Sequence, residues 1–252
     1  MRFPNRKRLI LQTVEAKGSV DVRELADLLQ TSEITVRRDL SLLAGDGLIY
    51  RTHGGAMSVS LATGPVRFEN KAAANAERKD YICRLAAREI QDGEVIFMDC
   101  GSTVFRLCQF IRNRRIRVVT NSLPVANELM NSEVTVNLAG GEVDKERQAV
   151  HGLMADEHVS RYRADRAFLG VDGISAENGL SAHSEIEAGM TLAMARHARC
   201  TYLLCDSSKL EKDKYVQFAP IGLVQVLVTD DQAEPAVLAL YRQKGLRVVN
   251  GE

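Results

Sequence analysis

The chain has 252 residues, 45% of them hydrophobic, and its 33 Lys and Arg balance its 33 Asp and Glu. This apolar content suits one large or two ordinary globular domains and excludes a chain that is disordered throughout. Zero net charge argues against nonspecific coating of nucleic acid. The five cysteines form no CxxC pair, which indicates buried thiols in a reducing compartment. Without an apolar run of roughly 18 residues or a signal-peptide core, we expect a cytoplasmic protein with no membrane partner.

Three short helices are predicted at the N-terminus. The first covers residues 7–16, the second covers residues 21–30, and the third begins after Ser32, whose hydroxyl can cap the first turn beside Glu33. The third helix has one apolar stripe at spacings of four and three, formed by Val36, Leu40 and Leu43. That stripe leaves another set of residues facing outward: Ile34, Thr35, Arg37, Arg38 and Ser41.

The tight turn at Thr31 and Ser32 joins the last two helices as in a helix-turn-helix, whose second helix enters the major groove. An arginine there can sit bidentate on a guanine edge or grip a phosphate. We therefore expect DNA contacts from Ser32, Glu33, Thr35, Arg37, Arg38 and Ser41. The alternative is that the two arginines are solvated charges paired with Asp39 or Asp46.

A basic hairpin is predicted to follow the third helix. Residues 48–52 form its strand, and His53, Gly54 and Gly55 form its turn. Arg51 and His53 flank glycines that allow close approach to phosphate or to the minor groove, so both join the expected DNA contacts. An ordinary surface hairpin is the alternative. Residues 1–57 carry nine Lys and Arg against seven Asp and Glu, so the positive excess is small and N-terminal.

Residues 58–75 predict a linker between a first domain, residues 1–57, and a second domain, residues 76–252, because the stretch is weakly periodic and contains Gly64 and Pro65. Beyond it strands and helices alternate, which predicts an open, mainly parallel α/β sheet. The predicted strands are 95–98, 117–120, 134–138, 167–171, 201–205, 224–229 and 247–249, with helices that include 76–91, 185–198 and 233–244.

Polar or glycine-rich segments follow five of these strands, where open α/β sheets bind ligands. The segment 99–103, DCGST, could cradle a phosphate ahead of a helix that starts at about Val104. Together the five ends offer phosphate donors, a carboxylate and a lysine, which suits a phosphorylated sugar or polyol. The expected effector contacts are Asp99, Gly101, Ser102, Thr103, Asn121, Ser122, Gly140, Gly141, Asp172, Gly173 and Lys209. Taken singly, each end is also explained by turn chemistry.

Several motifs, in order along the chain, resemble the DeoR family of bacterial repressors: ELADLLQTSEITVRRDLSLL, RTHGGA, DCGST, TNSLP, AGGEV, GVDGI and DSSK. The resemblance covers essentially the whole chain. It implies a winged helix-turn-helix followed by an effector domain similar to ribose-5-phosphate isomerase. By that likeness Gly101, Ser102 and Thr103 would hold phosphate, Asp172 the sugar, and Lys209 would approach the ligand. Gly152, Gly179 and Glu185 also stand where the family has a glycine or an acid.

We therefore expect a repressor of carbohydrate or polyol catabolic genes that binds double-stranded operator DNA as a dimer or tetramer and is released by its effector. We expect no cofactor and no metal, because His151 and His158 lie outside any recognised ligand spacing. One alternative is an isomerase-like enzyme. Such isomerases have a lysine after their Asp-rich loop, whereas this chain has no lysine between Lys145 and Lys209. The other is a ligand-independent DNA-binding scaffold, which explains the strand ends poorly.

Overall fold

The computed structural model describes residues 3–45, 48–52, 54–58, 68–73 and 75–251. The chain divides into two compact units, Met1–Ala74 and Asn75–Glu252. The first unit has one hydrophobic core and the second has two, one on each face of its large sheet.

The N-terminal unit packs three helices against a small antiparallel sheet. Its helices are α1 (Phe3–Lys17), α2 (Val22–Leu29) and α3 (Glu33–Gly45), and its strands are β1 (Ser19–Asp21), β2 (Tyr50–Arg51) and β3 (Gly55–Met57), in the order β1-β3-β2. A further helix, α4 (Phe68–Ala73), belongs to the same unit. The predicted apolar stripe of α3 is buried, since Val36, Leu40 and Leu43 have no exposed surface. The helix-turn-helix arrangement is confirmed.

The limits of the first two helices differ from the predicted ones. The first helix begins at Phe3 rather than at residue 7, since Pro4 is tolerated in a first turn, where its missing N–H has no partner to lose. The second is shorter than residues 21–30: the Asp21 carboxylate caps it by accepting from the backbone N–H groups of Arg23 and Glu24, and Gln30 ends it with a left-handed φ of 48°.

The hairpin also differs from the prediction. Its first strand is limited to Tyr50–Arg51 instead of residues 48–52, and Gly55 belongs to the returning strand rather than to the turn. That strand pairs on its other side with β1, which was not predicted. His53 lies outside the described residues, as does most of the predicted linker 58–75.

The C-terminal unit is built on a seven-stranded parallel sheet, which confirms the predicted fold class. In chain order the strands of this unit are β4 (Val95–Met98), β5 (Arg117–Thr120), β6 (Thr135–Leu138), β7 (Glu142–Asp144), β8 (Ala149–His151), β9 (Ala164–Leu169), β10 (Gly173–Ser175), β11 (Gly179–Ala182), β12 (Ala198–Leu204), β13 (Val216–Ala219), β14 (Val226–Val228) and β15 (Arg247–Val249). The large sheet has the order β15-β14-β12-β9-β4-β5-β6.

Helices cover both faces of this sheet. They are α5 (Ala76–Arg88), α6 (Ser102–Phe105), α7 (Cys108–Ile111), α8 (Leu123–Leu129), α9 (Leu153–Ser160), α10 (Glu185–Arg196) and α11 (Pro235–Gln243). Successive strand residues point to opposite faces, so in β4 Ile96 and Met98 pack with α5 to α8, while Phe97 packs in the core shared by α9, α10 and α11. Burial on both faces explains why these strands are continuously apolar in the sequence.

The remaining strands form two small antiparallel sheets in the connections that leave the carboxyl edge. The β7–β8 hairpin follows β6, and the sheet of β10, β11 and β13 arises after β9 and β12. These connections therefore lie where such sheets bind ligands. The helix after DCGST starts at Ser102, two residues before the predicted Val104, and the strand predicted at 167–171 is shifted to Ala164–Leu169. In the described part of the chain, no helix is long and apolar enough to cross a membrane.

Candidate functional site

The loop between β4 and α6 is shaped by a buried carboxylate. Asp99 accepts hydrogen bonds from Gly101 N at 2.7 Å and from Gly170 N at 2.6 Å, which ties the loop to the end of β9. Burial raises the pKa of Asp99 to about 7, although the two backbone donors oppose the shift. Glycine is needed at position 101, because a Cβ there would lie 2.8 Å from Asp99 Oδ1. Asp99 thus uses both oxygens to order the loop.

A lysine that was not predicted from the sequence reaches this loop from α5. Lys79 is buried, and its Nζ donates to Ser102 Oγ at 3.1 Å. Thr103 is also buried, and its Oγ1 has no hydrogen-bond partner among the described residues. The loop therefore carries the hydroxyl groups of Ser102 and Thr103 next to the Lys79 ammonium group in α5. Groups of these types donate hydrogen bonds to phosphate oxygens.

Arg147 and two carboxylates form a second group, beyond β6 and β9. The Arg147 guanidinium pairs through Nε with Glu187 of α10, and its Nη2 lies 3.9 Å from Asp172 Oδ2. Asp172 Oδ2 also accepts from His183 N at 3.2 Å. Asp172 was predicted to bind the effector, whereas Arg147 and Glu187 were not.

Lys209 lies among carboxylates at the end of β12. Its Nζ donates to Val171 O at 2.8 Å, beside Asp172 in sequence. Burial lowers the pKa of Lys209, but the nearby carboxylates of Asp206, Asp172 and Asp99 outweigh that effect, so the pKa is raised and the ammonium stays charged. The structure thus brings Asp99, Asp172 and Lys209 together, as predicted from the strand ends.

Asn121 and Ser122 hold the end of β5 in different ways. Asn121 Nδ2 donates to Val150 O at 3.0 Å, and its Oδ1 is buried without a partner in the described part of the chain. Ser122 Oγ accepts from Val125 N at 3.3 Å, so this hydroxyl caps α8. Of the two, Asn121 retains a free acceptor.

Three of the predicted glycines have packing roles. Gly140 and Gly141 line a concavity of about 430 Å³ against α9, where Gly140 N donates to His158 Nδ1 at 3.2 Å. Gly141 has a φ of 151°, which favours glycine. At Gly173 a Cβ would lie 2.2 Å from Lys212 O, so glycine allows the segments around residues 173 and 212 to approach closely.

Lys79 carries a sequence signal that could have revealed it, whereas Arg147 does not. Lys79, Ile82, Cys83 and Ala86 are buried at helical spacing, so the lysine is a charge on an apolar stripe. Arg147 lies in the turn between β7 and β8. The charged residues around it show no helical or strand periodicity in the sequence. His151, predicted to be an ordinary polar residue, is in fact buried with neither ring nitrogen partnered by the described residues.

The outward face of α3 forms a separate candidate surface in the N-terminal unit. Ile34, Arg37, Arg38 and Ser41 are exposed, and Glu33 and Thr35 are half-buried. The predicted cap is present, since Ser32 Oγ accepts from Thr35 N at 3.3 Å. On the hairpin, Arg51 Nη1 donates to Ser41 Oγ at 2.7 Å, which links β2 to α3.

The two arginines of α3 are not equivalent. Arg37 Nη2 donates to Glu33 Oε2 at 3.1 Å, while Arg38 has no hydrogen bond or ion pair with any described residue. The alternative pairing with Asp39 is wrong, because that buried carboxylate accepts from Arg6 at 2.6 and 3.1 Å. Asp46 lies outside the described residues. Arg38 is therefore available for an external partner.

Two family models match the chain. The DeoR-like helix-turn-helix domain matches residues 6–61, and the DeoR C terminal sensor domain matches residues 74–231.

Curated relatives match over nearly their full length. The HTH-type transcriptional regulator GlpR of Haloferax volcanii is 33% identical over 247 residues, covering 98% of this chain and 97% of that protein. The glycerol-3-phosphate regulon repressor of Escherichia coli K12 is 32% identical over 232 residues, covering 91% and 92%. Among solved structures, ribose 5-phosphate isomerase A from Methanocaldococcus jannaschii is 20% identical with a TM-score of 0.41, covering 54% of this chain and 55% of that one.

Proposed function

We propose that this chain, which belongs to the DeoR family of transcriptional regulators, is a repressor whose affinity for operator DNA is controlled by a phosphorylated sugar or polyol. The regulated genes would be those of carbohydrate or polyol catabolism, in keeping with a relative that represses a glycerol-3-phosphate regulon. Residues 1–57 would bind DNA and residues 76–252 the effector, with residues 58–75 between them. The matched ranges 6–61 and 74–231 support this division.

The contact between Lys79 and Ser102 carries the effector half of the proposal. A buried ammonium group directed at a serine hydroxyl, with the Thr103 hydroxyl of the same loop unpartnered among the described residues, offers donors to a phosphate. Gly101 lets the loop backbone pack closely against Asp99 and Gly170. Charge-assisted hydrogen bonds of this kind are stronger than neutral ones, so a phosphate is the group that best satisfies the loop. Asp172 and Lys209 would then contact the remainder of the effector.

The outward face of α3 supports the DNA-binding half. Arg38 is exposed and has no partner among the described residues, so it can contact a guanine edge or a phosphate without breaking an existing bond. Arg37 is held by Glu33, and Arg51 is held by Ser41 on the hairpin, so these groups are fixed in place on one surface. We infer that Ser32, Glu33, Thr35 and Ser41 flank the arginines at the DNA.

We infer that the chain is not an enzyme. The group beyond β9 pairs Asp172 with Arg147 and uses Lys209 to donate to a backbone carbonyl, so the site holds its charges in mutual contacts. Ribose 5-phosphate incubated with the protein should give no ketose product, and product formation at a rate that falls in Asp172→Asn would refute this inference.

We infer that the protein acts in the cytoplasm as a dimer or tetramer. All five cysteines are free, which suits a reducing compartment, and operator DNA is commonly read by two copies on two half-sites. Sedimentation of the full chain with and without operator DNA would measure the assembly. A monomer in both conditions would contradict it.

Isothermal titration tests the effector half. Sugar and polyol monophosphates should bind the wild-type protein and lower its affinity for operator DNA, and Ser102→Ala should lose this binding. Ser160→Ala is a matched control, because among the described residues the Ser160 hydroxyl donates only to the carbonyl of Glu157, on the surface of α9. Equal behaviour of wild type and Ser102→Ala towards every compound would instead favour a ligand-independent scaffold.

A further inference from the structure

An isoleucine stands exposed at the start of α3. Ile34 is the second residue of this helix, and its exposed fraction is 80%. In the described part of the N-terminal unit, the other large apolar residues with exposed side chains are Leu28 and Leu42, at 46% and 50%. Single apolar residues are common on protein surfaces, so exposure by itself assigns no role. The neighbours of Ile34 decide whether this residue has a partner.

Ile34 lies on the same stripe of α3 as the two arginines. Residues 34, 37, 38 and 41 are spaced by three, four and seven positions, so they share one face of the helix, and all four are exposed. The buried stripe of α3 is on the other side. Ile34 therefore faces the same partner as Arg38, one helical turn earlier.

The face around Ile34 is positively charged. Arg38 has no partner among the described residues. The carboxylate next to Ile34 in sequence, that of Glu33, lies 3.1 Å from an Arg37 nitrogen and 3.7 Å from an Arg23 nitrogen, so two guanidinium groups match its charge. A partner of this face must combine negative charge with an apolar group opposite Ile34. The major groove of DNA offers both, in its phosphates and in the methyl group of each thymine.

Thymine is the base whose major-groove edge suits an isoleucine. Its C5 methyl group is apolar, whereas the other groups that base pairs present in this groove are hydrogen-bond donors and acceptors. Ile34 would cover those polar groups without giving them a hydrogen bond, which disfavours cytosine at the same place. The first residues of the second helix in a helix-turn-helix are the ones that contact base edges. Building on the proposed function, we infer that Ile34 is a specificity-determining residue that reads the methyl group of a thymine.

The spacing along α3 gives the place of that thymine. The Cβ atoms of residues four apart on a helix are about 5–6 Å from each other, and successive base pairs are about 3.4 Å apart. The thymine should therefore lie within about two base pairs of the base that Arg38 contacts. Ile34 and Arg38 would read neighbouring positions of one half-site.

Removal of single methyl groups from the operator tests this inference. Repeated selection of random duplexes by the full-length protein gives a preferred operator, in which each thymine is then replaced singly by deoxyuridine, a base that lacks only the 5-methyl group. Measured by fluorescence anisotropy, one such replacement in a half-site should weaken wild type roughly three- to tenfold. Ile34→Ala should bind the thymine and deoxyuridine operators equally, because the apolar partner of the methyl group is gone. Ile34→Val keeps a β-branched side chain and should retain most of the difference.

Two controls separate methyl reading from a change in folding. Leu28→Ala removes an exposed leucine of α2 and should keep the wild-type ratio of affinities for the thymine and deoxyuridine operators. Ile34→Ala should unfold in urea like wild type, because Ile34 is exposed. If Ile34→Ala lost stability, Ile34→Gln would replace it, since glutamine favours a helix and ends in a polar group. This variant should also bind the two operators equally.

Two results would overturn the inference. In the first, wild type binds every operator with one deoxyuridine as tightly as the parent, within two base pairs of the position at which Arg38→Ala relaxes the preference. In the second, the deoxyuridine penalty persists in Ile34→Ala and Ile34→Gln. Either result would leave Ile34 facing water or a protein partner instead of a base. A protein that selects no duplex at all would reject the proposed DNA binding, and the inference with it.

Discussion

Arg38 is the side chain on which sequence specificity is expected to depend. It is exposed and unpartnered in the described part of the chain, whereas Arg37 is engaged by Glu33. Arg38→Ala should therefore cost about 1–3 kcal/mol of operator binding and relax the base preference at one position. Arg38→Lys should keep the charge but lose the bidentate fork, so it should recover affinity more than specificity. Fluorescence anisotropy with operators carrying single-base changes measures both, and an unchanged specificity profile in Arg38→Ala would contradict the assignment.

The ion pair between Arg6 and Asp39 joins α1 to α3. Asp39 accepts from Arg6 at 2.6 and 3.1 Å and is almost completely buried. Arg6→Met should leave that carboxylate without its hydrogen bonds and cost about 1–3 kcal/mol of stability. Urea unfolding followed by circular dichroism gives the value. Arg8→Met, at an exposed position on the same helix, is the control and should unfold like wild type.

The residues of the candidate site differ in how visible they are in the sequence. Asp172 and Lys209 could be predicted because each follows a strand of recognisable length, and parallel strands end at one edge. Lys79 is visible only as a charge on a buried helical stripe. Arg147 and Glu187 could not be predicted as partners, because their contact depends on how an irregular connection folds back on α10.

Gly55 is the position at which the hairpin of the N-terminal unit approaches β1 most closely. A Cβ at this position would lie 2.1 Å from Val20 O, so Gly55→Ala must separate β3 from β1. The variant should lose about 1–3 kcal/mol of stability and bind operator DNA more weakly. Gly54→Ala is a close control, because a Cβ there would meet nothing within 4 Å. Equal unfolding midpoints for the two variants would contradict the close approach.

The end of α5 is tied to β12 and β15 by Glu89. Its carboxylate accepts from Arg247 at 2.6 and 3.1 Å and from Tyr202 Oη at 3.0 Å. The hydrogen bonds from Arg247 lower the pKa of Glu89, while partial burial opposes them. A lowered pKa means that the carboxylate stabilises the fold above its unfolded value of about 4.3 and loses this effect as the pH falls through the lowered pKa.

Glu89→Gln should therefore destabilise the protein at neutral pH, by less than about 1 kcal/mol because Arg247 is half exposed. The difference from wild type should shrink as the pH falls below about 4. Urea unfolding across this range gives the comparison, and a difference that grows on acidification would have the wrong sign.

Elements buried on both faces were the most predictable. The buried strands Val95–Met98 and Arg117–Thr120 have the predicted limits, because short apolar runs bounded by turn residues are typical of buried strands. The half-buried edge strand Arg247–Val249 also has the predicted limits. The strand β1 could not be predicted, since three residues carry no periodicity and Asp21 pairs with Gly55 across 33 intervening residues, 22 to 54. Local sequence cannot specify such a partner.

At the scale of the whole molecule, effector binding and operator binding must be coupled if the chain is a switch. A ligand shifts DNA affinity only by preferring one conformation, and coupling of about 1–3 kcal/mol gives a five- to 150-fold change. Titration of operator DNA with and without a saturating monophosphate measures this ratio. In Lys209→Met the ratio of operator affinities without and with the monophosphate should be close to one, because the variant removes the cation at the end of β12. A ratio unchanged in Lys209→Met would place the coupling elsewhere.

The role of Asp21 at the junction of β1 and α2 determines how such a switch can act. Asp21 pairs with Gly55 of the hairpin, its carboxylate caps the first helix of the reading pair, and Val22 N donates to Gly54 O at 2.9 Å. The hairpin and α2 are thus both attached to Asp21 and Val22, which fixes their positions relative to each other. The hairpin and the helix-turn-helix therefore act as one rigid DNA-binding unit. We therefore expect an effector to change operator affinity through the spacing and orientation of the whole DNA-binding unit rather than through a change of its shape.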